Sequence, residues 1–102
     1  MWYVSVFDAK ESASRADLNH ERAEWIKKDM DRVLKSRCKT VKRYEVLGSS
    51  PQKIFLVIES DDPAALNLLS VHFGDIWHSV TYPVIDREIA EALEEDHSVI
   101  GG

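Results

Sequence analysis

The sequence predicts an α+β fold: a two-layer sandwich with helices packed on a four-stranded antiparallel sheet, in the order βαββαβ, with one further helix at the C-terminal end. Three observations predict it. Four short runs rich in β-branched and aromatic residues are bounded by polar or Gly/Pro-containing segments. A helix-period pattern separates the first run from the second, and a proline-marked helix start separates the third from the fourth. The second and third runs are joined by Gly48-Ser49-Ser50-Pro51, the composition of a tight turn.

Trp2 to Asp8 is apolar at nearly every position, too short for a helix and followed by the polar run KESAS, which makes it a strand. From about Ser14 to Arg37 the period changes to a helical one, with Leu18, Trp25, Ile26, Met30, Val33 and Leu34 on one arc. Asp17, Glu21 and Glu24 stand towards its start and Lys35 and Arg37 at its end, which complements the helix dipole. Val41 to Leu47 and Ile54 to Ile58 then form a hairpin. Asp62 and Pro63 are expected to cap and open a helix running to about Phe73 and stopping at Gly74. His78 to Ile85 is the last strand, and Pro83 places it at a sheet edge. Asp86 is expected to cap a short final helix through Ile89, Ala90 and Leu93, followed by a polar tail. The arrangement is ferredoxin-like, a split βαβ with the first and third strands central.

With 102 residues, 44% of them hydrophobic, the chain reads as a single domain spanning residues 1–102 with one core. Thirteen Lys and Arg against 18 Asp and Glu give a net charge of −5, the wrong sign for phosphate attraction, so no nucleic-acid partner is expected. No stretch approaches the roughly 20 apolar residues that span a bilayer, and the expectation is a cytoplasmic protein without a membrane partner. The lone Cys38 cannot form an internal disulfide.

The central strands do not alternate apolar and polar. Trp2, Val4 and Val6 stand opposite Tyr3, Ser5 and Phe7, and Ile54, Leu56 and Ile58 stand opposite Phe55 and Val57. Both faces therefore need cover, and leaving each large side chain exposed would cost roughly 1.5–3 kcal/mol. A second copy pairing its sheet with the first, as a homodimer, meets that need.

Order and faces together resemble the dimeric α/β-barrel superfamily. Within it, IFLVIESDDPAALNLL and HFGDIWHSVTYPVID resemble a family of short domains whose pattern falls here on Glu59, Asp62, Pro63, Ala65, Leu66, Phe73, Asp75, Pro83, Val84 and Asp86. Where that family carries a Pro/Gly-rich loop before its second strand, this chain has SRCKTVKRY. The resemblance implies a fold and a sheet-paired dimer, and no particular reaction. The wider superfamily includes cofactor-free oxygenases, lactone isomerases, haem proteins and ligand binders.

Candidate site residues follow from the charges and aromatics. With Leu18 as zero on the helical wheel, Arg22 falls at about 40° and Asp29 at about 20°, inside the apolar arc. They either line a pocket between helix and sheet or, for Arg22, reach a sheet carboxylate such as Glu45 or Glu59. Trp25, Trp77 and Tyr82 supply aromatic surface for the same pocket. A small apolar or aromatic ligand is expected there, with no organic cofactor. His72 and His78 are the candidate general bases of a cofactor-free isomerase or oxygenase, the alternative reading. His72, Asp75 and His78 straddle a helix stop and lack the i, i+4 spacing of ligands on one helix, so no metal site is expected.

Overall fold

The computed structural model describes residues 1–68 and 74–100. Its strands are β1 (Trp2–Ala9), β2 (Thr40–Glu45), β3 (Lys53–Glu59) and β4 (Trp77–Val84). They form one antiparallel sheet in the order β2-β3-β1-β4. The two most apolar strands are central, and β4 with Pro83 lies at an edge, where a missing N–H costs no ladder bond.

Burial alternates strictly along β1 and β3, with Tyr3, Ser5, Phe7 and Ala9 on the same side as Ile54, Leu56 and Ile58. This inner face meets α1 (Arg15–Lys27) and α2 (Met30–Ser36). Phe7, Ile54, Leu56, Ile58, Leu34 and Trp77 make the centre of the core, with Leu18, Trp25 and Val41 packed at its margin.

The continuous helix expected over 14–37 is instead two helices. Asp29 adopts a left-handed conformation at φ 55°, and the ladder is interrupted at Lys28 and Asp29. Asp is among the few residues that tolerate this region, because its short polar side chain bonds locally, here to Arg32. A single wheel therefore does not run through Asp29. Beyond the break Met30 and Leu34 are buried, as expected, whereas Ile26, before the break and expected inside, is 75% exposed.

Two other helix starts differ from expectation. Asp62 makes no side-chain cap. Its carboxylate accepts from Arg37 Nε at 2.8 Å, and Pro63–Ala65 form a 3-10 turn leading into helical residues 66–68. The run to Phe73 lies outside the described residues. The C-terminal helix α3 spans Ile89–Ile100, where a polar tail was expected, and its first turn closes from the Ala92 amide to the Glu88 carbonyl rather than on Asp86. No helix among the described residues is long and apolar enough to cross a membrane.

Candidate functional site

A cleft opens between the inner face of the sheet and the two helices. Its apolar floor is Phe7, Leu34, Ile54 and Leu56, with Trp25 and Trp77 as aromatic walls. Its volume, about 440 Å³, is in the range of small-molecule sites. The left-handed turn at Asp29 helps shape it, because α2 is redirected and the indole N–H of Trp25 donates to Asp31 Oδ1 at 2.7 Å across the break. That bond fixes the orientation of the ring.

Charged groups stand at one side. Arg22 Nη2 approaches Glu45 Oε1 at 3.3 Å, and Arg43 Nη2 reaches the same oxygen at 2.8 Å. The Arg43 hydrogen bond, and then its charge, hold the Glu45 carboxyl below the usual glutamate range, with Arg22 adding to the effect. Arg22 is thus tied to β2 by one terminal nitrogen only. Its Nε is buried without a hydrogen-bond partner, and so is Glu21 Oε1 one residue earlier. Burial pushes the Glu21 carboxyl up from its ordinary value, and the negative charge of Asp75 pushes in the same direction. Beyond the Arg22–Glu45 bridge, a wider and more open hollow of about 820 Å³ continues between the start of α1 and the 49–52 turn.

The structure brings Arg22, Trp25 and Trp77 to this cleft. It does not bring Asp29, whose carboxylate pairs with Arg32 at the exposed helix break. Tyr82 pairs with Val4 across β1–β4 and lies on the outer face with Val80 and Val84. His78 also faces outward, opposite Asp8, on the other side of the sheet from the cleft. His72 lies outside the described residues. Among those described, no three His, Cys, Asp or Glu side chains converge as metal ligands would. Glu21 and Arg43 are site residues that sequence reasoning missed. Glu21 was read only as one of the acids that complement the dipole at the start of the helix, and Arg43 belongs to a strand whose facing was not assigned.

The outer face is apolar at its centre, with Val4, Val6, Phe55 and Val57 partly exposed and Val80 and Tyr82 exposed by 49% and 53%. Polar pairs sit at its two ends, Lys53–Asp8 at 3.4 Å and Thr40–Glu59 at 3.4 Å. An apolar centre with a polar rim is the composition of a protein interface.

No protein-family model matches the chain, and no curated protein matches its sequence.

Proposed function

We propose that the chain is a homodimeric binder of a small aromatic ligand, built on a ferredoxin-like protomer of the dimeric α/β-barrel kind, with the ligand held in the helix–sheet cleft. The observation that carries the reading is the pair of unpartnered buried atoms, Arg22 Nε and Glu21 Oε1, beside an aromatic-walled apolar cleft. A buried polar atom without a partner costs about 1–3 kcal/mol, which a ligand group able to bond it would recover. An aromatic ring in this cleft, carrying a carboxylic acid or phenol towards Arg22 and Glu21, meets both its apolar lining and these two polar atoms. The apolar outer face supports the pairing of two sheets.

A thermal-shift screen of benzoic, indole and naphthoic acids and simple phenols tests the site on wild type and Arg22→Met. Binding at Arg22 raises the wild-type melting temperature with a dose dependence that the variant loses. Equal shifts for both proteins, or no shift for either, overturn the assignment.

A further inference from the structure

Two hollows of this molecule meet at a single ion pair. The apolar cleft of about 440 Å³ and the wider hollow of about 820 Å³ have two lining residues in common, Arg22 and Glu45. The 3.3 Å bridge between those side chains is therefore the partition between the two spaces. It is weakly held, since both side chains are 42% exposed and pairs so placed contribute little. Opening it leaves no orphan on the strand side, because Glu45 Oε1 also holds Arg43 Nη2 at 2.8 Å and Gln52 Nε2 at 3.4 Å.

The outer hollow differs from the cleft in its chemistry. Lys10 and Arg15 stand in its wall, and their side chains form no ion pair among the described residues. Glu11 lines it as well, but Glu45 is already matched by Arg43, so positive charge is in excess there. Arg15, Leu18 and Arg22 recur at i, i+3 and i+7 on one face of α1. Arg15 thus stands about 10.5 Å from Arg22 along the helix axis, at 1.5 Å per residue.

We propose that the ligand of the cleft is an aromatic acyl amide with an anionic tail: the ring fills the cleft, the amide lies at Arg22 and Glu21, and the tail passes the Arg22–Glu45 partition to end at Lys10 and Arg15. The inference rests on the reading of the cleft as an aromatic-ligand site and names the class of ligand it takes. The linking group follows from the two unpartnered atoms. Arg22 Nε can only donate and the Glu21 carboxylate accepts, and a secondary amide offers the matching carbonyl and N–H. A free carboxylic acid or phenol ends at the partition, whereas an amide carries the chain beyond it. The tail length follows from the helix, since a six-carbon amino-acid tail reaches about 9 Å when extended.

Isothermal titration at low salt tests this with three probes: 2-naphthoic acid, N-(2-naphthoyl)-6-aminohexanoic acid, and the neutral 6-aminohexanamide analogue of the second. Wild type is expected to bind the anionic-tailed probe about 5- to 10-fold more tightly than its neutral analogue, a preference that shrinks as salt is added. Lys10→Met/Arg15→Met, checked for fold by circular dichroism, should lose that preference while binding 2-naphthoic acid as wild type does. Arg22→Met should weaken all three. Equal wild-type affinities for the two tailed probes, or a preference that persists in the double variant, overturn the tail site and leave the cleft reading standing. Binding of 2-naphthoic acid without binding of either tailed probe does the same, because the partition then does not open. Failure of all three probes to bind overturns the cleft reading and the tail site together.

Discussion

Glu21 and Asp17 stand one helical turn apart on α1, and their environments push them in opposite directions. The Ser14 backbone amide, and after it the Ser14 hydroxyl, hold the Asp17 carboxyl below its ordinary value. Glu45, beside Arg43, and Asp61, beside Lys39, are lowered in the same way. A carboxylate whose folded value lies below its unfolded one stabilises the fold above the unfolded value, about pH 4, and loses that contribution as pH falls through the folded value. Glu21 has the reverse sign. Its folded value lies above its unfolded one, so its charge costs stability at neutral pH and the cost disappears on acidification. Glu21→Gln removes that cost and is expected to raise the melting temperature at pH 7 by about 1–3 °C. At pH 4 the gain should shrink towards zero, which differential scanning calorimetry at the two pH values checks.

Helix boundaries are the features of the elements most open to test. The capping box at the start of α1 pairs the Ser14 hydroxyl with the Asp17 amide and the Asp17 carboxylate with the Ser14 amide, both at 3.0 Å. Because α1 has no fully buried residue, little packing compensates for a lost cap. Ser14→Ala is expected to cost about 1 kcal/mol in urea unfolding, within the usual range for such caps. The break at Asp29 gives a sharper discrimination. In a continuous helix, isoleucine at an exposed position would be nearly neutral. In a left-handed residue at φ 55°, a β-branched side chain collides with the backbone, and Asp29→Ile should cost about 1–2 kcal/mol. Asp29→Gly removes the steric strain and should cost less than the isoleucine variant.

For the whole molecule, the two faces of the sheet assign different outcomes to two similar substitutions. Phe7 is 1% exposed at the centre of the core, so Phe7→Asp buries an unpaired charge and should leave the chain unfolded by circular dichroism at 25 °C. Phe55 lies on the outer face, partly exposed between Val6 and Tyr44 in the strand register. Phe55→Asp should keep the native spectrum and give a monomer mass in light scattering at concentrations where wild type is dimeric. A dimeric and native Phe55→Asp would mean that the outer face is not the contact.

The strands, their pairing order and the two facings of β1 and β3 were legible in the residues themselves. Period-2 placement is a property of the extended backbone, so Phe7 could be set apart from Val6 and Phe55 from Leu56, whereas which of the two phenylalanines faces the helices follows only from the β1–β3 register. Pro83 marked the edge strand for an equally local reason. Arg22 was legible as an inward charge, with Glu45 among its stated carboxylate partners. The wheel holds as far as Trp25 because α1 is regular up to Lys27. What the residues did not disclose is what the left-handed turn at Asp29 decides. A run of helix-forming residues, KKDMDR, carries no Gly or Pro to mark a break. The left-handed residue there turns Asp29 outward to Arg32 and redirects α2 beside the cleft that Arg22 and Glu21 flank. The length of α3 escaped as well. The residues after Leu93 read as a polar tail, whereas the helix runs on to Ile100. Local chemistry sets the period of each strand and which residues share a side; which side faces the helices, where helices end and which apolar surfaces remain uncovered depend on contacts between residues distant in the chain.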